Sequence, residues 1–353
     1  MRIDGEIKSK NRTVASVSGG LLTNTNNVLL PLYLKRTGDI EGWLRGRAID
    51  AHRTNSRLLK KALRLAAASD VEITLKVHAA TITDTYWFKE SGSSLTYEDV
   101  RFNANFFDKL ALLGNPDSFN LPYSPTPELT NIGSFEKCWR LENGSWWMVK
   151  QGNDLERFSE LFICRLGQEL GFPMANYISE NETIVSPDFT SGAAVNYEAA
   201  EGIVGDDEDY SVNFEALWNL SPDLVEQYMQ IIYMDTLCFN MDRHTKNYGV
   251  LRDVENGQIL RMAPNFDNNI ALFALGVPTD LDRANDKLIS LYCEFFEQDN
   301  RAFEIAKRLP APDRKQIEAC IDPIALPIDA DILLRFVLRG SERIQERISA
   351  HNR

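Results

Sequence analysis

The chain has 353 residues, 44% of them hydrophobic and 25% charged, with a formal net charge of −13. That length accommodates two or three domains with ordinary cores, and no apolar run of about 18 or more residues offers a membrane span. Five scattered cysteines (138, 164, 238, 293, 320) form no CxxC pair, and four dispersed histidines (52, 78, 244, 351) form no metal cluster, so reduced cytoplasmic thiols are expected rather than disulfides or zinc.

Charge is uneven along the chain. Residues 1–70 hold 13 Lys/Arg against 6 Asp/Glu, and the remainder holds 25 against 45. A basic arm of this kind suits DNA, an acidic protein partner or the chain's own acidic body. The plainer alternative is solvated helix surface around Arg57, Lys60, Lys61 and Arg64. No apolar leader stands at the N-terminus.

Residues 1–40, rich in Ser, Thr, Asn and Gly, read as short strands or irregular chain, and 41–68 carries a helical pattern. Val71–Val77 alternates weakly, as a strand would. Four prolines between Gly114 and Asn131 mark a linker and a domain boundary. A hairpin follows, with Cys138–Leu141 and Ser145–Val149 flanking Glu142-Asn143-Gly144, because Asn-Gly tolerates the positive φ of a tight turn. Trp146, Met148 and Lys150 share one face of the second strand. A helix then runs from Leu155 to Leu170 on the stripe Leu155, Phe158, Phe162 and Leu166, with Glu160, Cys164 and Gly167 along another face. Ser221-Pro222 predicts the start of another helix, the acidic stretch 205–209 an exposed loop, and residues 279–350 further helices separated by prolines.

The most informative stretch is Asn240-Met241-Asp242-Arg243-His244-Thr245-Lys246-Asn247, followed by Asn265-Phe266-Asp267. An aspartate and an asparagine five residues apart, with a second aspartate further on, suit phosphoryl transfer from a nucleotide carrying Mg²⁺. One carboxylate, on Asp242, can accept a hydroxyl proton; the amide oxygen of Asn247 and the carboxylate of Asp267 are hard ligands of the kind Mg²⁺ takes. Ahead of them stand Lys150 at a strand end and Glu160 on a helix, in the order in which a kinase lays out its parts. Glu156, one turn before Glu160, competes for the same role. Taken alone, the Asn/Asp/His cluster could also be a self-capping polar loop, with His244 as one of its hydrogen-bonding members.

On Asn240-x-Asp242-x-His244-x-x-Asn247, on Ala263-Pro264-Asn265-Phe266-Asp267 and on Glu160 ten residues before Leu170-Gly171, the chain resembles the HipA-like bacterial Ser/Thr protein kinases over roughly residues 130–350. The resemblance implies an α+β, bilobal protein kinase-like fold, with a small β-rich N-lobe and a helical C-lobe, plus an additional N-terminal α/β region. With the proline-rich boundary, the expected division is 1–115 for substrate or partner recognition, 130–215 for the N-lobe and 216–353 for the C-lobe. Asp242 would be the catalytic aspartate, Asn247 and Asp267 the Mg²⁺ ligands, and Lys150, held by Glu160, a contact to the phosphates of ATP. The phosphate-binding loop would map to Ile132-Gly133-Ser134-Phe135-Glu136, with Gly133 and Ser134 at the nucleotide and Ser134 a candidate for autophosphorylation. Two departures stand out: Asp267-Asn268-Asn269 replaces the usual Asp-Phe-Gly, and the N-terminal region is atypical. A small-molecule phosphotransferase and a nucleotide-sensing protein that binds DNA or a protein partner are the alternatives.

Overall fold

The computed structural model describes residues 2–353. The chain divides into two compact units. One comprises residues up to Gln151 together with Glu180–Ile203 and Val250–Leu260; the other comprises Gly152–Ser179, Val204–Gly249 and Arg261–Arg353. The fold is mixed, with small antiparallel sheets and helices.

The first unit opens with β1 (Gly5–Ser9), β2 (Arg12–Ser18) and β3 (Leu21–Thr23), joined by β4 (Tyr86–Glu90) in the order β3-β2-β1-β4. Gly5 allows close pairing, since a Cβ there would overlap the carbonyl oxygen of Lys89 on β4. One sheet face buries Ile7, Val14, Val17 and Phe88 against Ile40, Trp43 and Leu44. The 41–68 stretch forms two short helices, Ile40–Gly46 and Ser56–Ala62.

Val71–Val77 is not a strand. Helix Asp70–Leu75 occupies it, started by a capping box in which Ser69 accepts from the Glu72 N–H and Glu72 accepts from the Ser69 N–H. Burial of Val71, Ile73 and Thr74 on one side overrides their β-branched preference. The proline-rich segment is no extended linker either. It contains two 3₁₀ turns, Pro116–Asn120 and Pro127–Thr130, and all four residues of the second are buried. Residues 2–115 and 130–151 lie in the same unit.

The predicted hairpin is present as β5 (Lys137–Glu142) and β6 (Ser145–Lys150). Asn143 and Gly144 take φ of 51° and 78°, the left-handed pair that matches strand twist. Its register sets Lys137 directly opposite Lys150. After β7 (Ile178–Glu180), β8 (Thr183–Pro187) pairs antiparallel with β6.

Much of the basic excess of residues 1–70 is neutralised inside the first unit. Arg47 pairs with Asp84, Arg53 with Glu128, Lys10 and Arg12 with Glu255, and Arg45 with Glu41. Arg57, Lys61 and Arg64 remain exposed on and just beyond helix Ser56–Ala62.

The second unit is mainly helical. Helix Asp154–Glu169 buries Phe158, Phe162 and Leu166, and Phe158 stacks on Phe162 with centroids 5.7 Å apart. Gly167 lets the chain pass close by, since a Cβ there would overlap the Met174 side chain. Helix Leu224–Leu237 begins after Asp223, two residues beyond the expected start; Ser221 instead ends helix Tyr210–Leu220 and accepts the Leu224 N–H at 3.0 Å. The acidic stretch is exposed from Asp206 to Asp209, and Asp209 caps helix Tyr210–Leu220. Helices Asp286–Gln298, Asn300–Ala306, Arg314–Ile321 and Ala330–His351 complete the unit. Among the described residues no helix is long and apolar enough to cross a membrane, and all five cysteines are buried and free.

Candidate active site

In the second unit, helix Leu224–Leu237 carries the buried Asp235 and ends at Cys238. Phe239, at φ 52°, turns the chain back so that the Asn240 N–H reaches the Asp235 carbonyl oxygen at 2.9 Å. The loop 240–247 is irregular, and its organiser is Arg243. The Nε of Arg243 donates to Asp235 Oδ2 and one terminal nitrogen donates to Asp235 Oδ1, each at 2.9 Å. The other terminal nitrogen reaches the carbonyl oxygens of Asn247 at 2.7 Å and Phe266 at 2.8 Å. Asn265 Oδ1 and Asn268 Oδ1 accept from Arg243 at 2.9 and 2.6 Å. A planar guanidinium with five N–H donors fits such a set; a lysine would not. Asn240 Nδ2 donates to Asp235 at 2.8 Å, and its Oδ1 accepts the Asp242 N–H at 3.1 Å.

The 265–268 segment is fixed from its other side as well. Asn265 forms a parallel bridge with Met174, its N–H donating to the Pro173 carbonyl and its carbonyl accepting the Ala175 N–H, both at 2.9 Å. Asp267 has φ 62°, a left-handed conformation that an aspartate tolerates better than most residues. The buried Glu160 accepts the Asn268 N–H at 2.7 Å, one residue from Asp267. Glu156, by contrast, closes the capping box of its own helix, accepting the Asn153 N–H at 2.8 Å.

These bonds set Asp242, Asn247 and Asp267 on one frame. Asn247 Nδ2 donates to the Asp242 carbonyl oxygen at 3.1 Å, which orients the amide. Partial burial and the Asp267 carboxylate hold the Asp242 pKa above its ordinary value, against the pull of His244 and Arg243. His244 Nδ1 accepts the Lys246 N–H at 3.3 Å, a loop-bracing contact. One amide and one carboxylate oxygen suit Mg²⁺, which keeps water and phosphate oxygens as its remaining ligands. Among the described residues no three His, Cys, Asp or Glu side chains group as a metal site.

In the first unit, Lys150 is buried at the end of β6. Gly133 has φ 111°, a conformation that L side chains rarely adopt, so the turn 132–136 depends on glycine at this position. Ser134 is exposed at that turn. Sequence reasoning placed Asp242, Asn247, Asp267 and Glu160 in what is one hydrogen-bonded region, but missed Arg243, Asp235, Asn265 and Asn268. The clue was the density of Asn and Asp around an arginine that a solvated loop would not need.

No family model and no curated protein matches the chain in sequence. Solved structures do. HipA of Shewanella oneidensis MR-1, from its toxin–antitoxin complex with HipB and operator DNA, is 14% identical with a TM-score of 0.58; the alignment covers 98% of this chain and 97% of that one. The chain has a HipA-like, kinase-related fold. The Helicobacter pylori proinflammatory kinase CtkA is similar over 61% of this chain and 92% of its own, at 20% identity and a TM-score of 0.48.

Proposed function

We propose that the chain is an ATP-dependent phosphotransferase, a Ser/Thr protein kinase of HipA-like type with a bilobal arrangement. The observation that carries the reading is the Arg243 network, which ties Asp235, the 240–247 loop and the 265–268 segment together around Asp242, Asn247 and Asp267. A HipA-like fold with hard oxygen donors at these positions supports phosphoryl transfer over passive nucleotide sensing.

Asp242 would accept the proton of an incoming hydroxyl. Asn247 Oδ1 and the Asp267 carboxylate would hold Mg²⁺, which when bound neutralises phosphate charge and orients the γ-phosphoryl group. Lys150, directed by Glu160, and the backbone at Gly133 and Ser134 would contact ATP phosphates. Catalysis would come mainly from positioning and charge neutralisation. The exposed Ser134 hydroxyl would be available for autophosphorylation, and the exposed Arg57, Lys61 and Arg64 for an acidic protein or DNA.

Incubation of the purified chain with γ-labelled ATP, Mg²⁺ and a generic protein acceptor tests the reading. Label on protein supports it. Label on a hydroxylated metabolite alone would make the chain a small-molecule phosphotransferase, and absence of both transfer and ATP binding would remove it from the phosphotransferases.

A further inference from the structure

The turn 132–136 is held from behind by the N-terminal region. Arg53 is 1% exposed, and its guanidinium donates to the backbone carbonyl oxygens of Asn131 at 2.6 Å, Gly133 at 3.3 Å and Lys137 at 3.3 Å. Glu128, fully buried, lies 3.7 Å from Arg53. Its carboxylate also accepts from Asn131 Nδ2, Asn105 Nδ2 and the Trp139 N–H at 3.0, 2.8 and 2.7 Å. A third tie comes from Glu136, which accepts the Asn55 N–H at 3.1 Å. All of these residues belong to the first unit.

A surface turn needs no such arrangement, because water satisfies its carbonyls. Here an arginine and a glutamate are both taken out of water, which is costly for each ion unless the geometry is well satisfied. The consequence lies on the opposite side of the turn. In a trans peptide the carbonyl and the following N–H point in opposite directions. With the Asn131 and Gly133 carbonyls turned towards Arg53, the N–H groups of Ile132 and Ser134 are turned away from it. Ile132 and Ser134 are both exposed, and the φ of 111° at Gly133 lets the two flanking peptides adopt this orientation. Neighbouring N–H groups directed to one side make an anion cradle.

We propose that Arg53 is a positioning residue for nucleotide phosphate: held by Glu128, it fixes the 132–136 turn so that the Ile132 and Ser134 N–H groups face an anion together. This rests on the reading of that turn as the phosphate loop. It gives the N-terminal region a part in nucleotide binding as well as in recognition of a partner.

Calorimetric binding of Mg-ATP to the full chain tests it, using wild type, Arg53→Lys and the double variant Arg53→Met/Glu128→Gln, which leaves neither ion buried alone. The folded double variant should bind Mg-ATP about tenfold or more weakly, as expected when a preorganised contact is lost. Phosphate transfer at saturating ATP should change far less, so the effect falls on KM rather than kcat. Amide hydrogen exchange over 132–136 should quicken without nucleotide, and Arg53→Lys should lie between the two. Wild-type affinity in the folded double variant overturns the proposal. If that variant does not fold, wild-type affinity in Arg53→Lys overturns it. Wild type that binds no Mg-ATP removes the phosphotransferase reading with it, whereas ATP binding indifferent to Arg53 removes only this inference.

Discussion

Arg243 and Asp235 form a bidentate ion pair, two bonds of 2.9 Å between side chains that are 6% and 2% exposed. A helix residue thereby holds a loop residue, and through it the two segments that carry Asp242, Asn247 and Asp267. The pair is a frame for the site rather than a reacting group.

Removing one partner should therefore be worse than removing both. Arg243→Leu leaves the Asp235 carboxylate buried and unpaired, and the unfolding free energy of the second unit should fall by about 3–5 kcal/mol. Arg243→Leu/Asp235→Leu should recover part of that stability but not phosphate transfer. Denaturant unfolding of wild type, Arg243→Leu, Asp235→Leu and the double variant, analysed as a double-mutant cycle, checks this; additive losses would contradict it.

Asp242 should titrate above the ordinary aspartate value, because partial burial and the Asp267 charge both oppose its ionisation. The sign follows. The proton is held more tightly in the folded chain, so the penalty from ionised Asp242 is present above its folded pKa and is relieved as pH falls through it. Carboxyl-carbon NMR titration should give a lower pKa for Asp242 in Asp267→Asn than in wild type. An unchanged or higher value would sever the two carboxylates electrostatically.

Burial pushes the Glu128 carboxyl up to about 7, although Arg53 and three hydrogen-bond donors pull it down. Unfolded, it should titrate near the ordinary ~4.3. The fold therefore takes up a proton at this site between these values. Its contribution to stability rises as pH falls from about 7 towards the unfolded pKa, by at most about 4 kcal/mol. Unfolding free energies measured from about pH 8 down to about pH 5 should show wild type gaining stability relative to Glu128→Gln as pH falls. Parallel profiles would show that Glu128 does not titrate there.

Gly167 is a packing position, since its missing Cβ makes room for Met174, whose neighbour across the parallel bridge is Asn265. Gly167→Val should destabilise the second unit by about 1–3 kcal/mol through overpacking. Met174→Ala in the same chain should relieve part of the loss. Thermal unfolding of the single and double variants decides the matter, and an unperturbed Gly167→Val would show the space to be open.

Local signals in the sequence were reliable where they were self-contained. Asn143-Gly144 formed its hairpin turn, and the stripe Phe158, Phe162 and Leu166 formed its helix. They failed where burial decides. Val71–Val77 became a helix because a capping box and a buried face outweigh β-branched propensity. The prolines around residues 116–127 mark tight turns, and Pro127–Thr130 is buried rather than a flexible linker. Asp242, Asn247 and Asp267 were singled out by residue type and spacing, and the segments that carry them are joined through Arg243. Arg243 and Arg53 were not singled out. Each acts through carbonyl oxygens and a buried carboxylate on other segments of the fold, and a charged residue in a polar or basic stretch looks like surface until its partners are placed.

Under the proposed function, Asp242 and Asp267 serve phosphoryl transfer. Transfer from γ-labelled ATP with Mg²⁺ should be readily measured for wild type and should drop by orders of magnitude in Asp242→Ala and in Asp267→Ala, both still folded by thermal unfolding. Wild-type transfer in both variants would contradict the assignment.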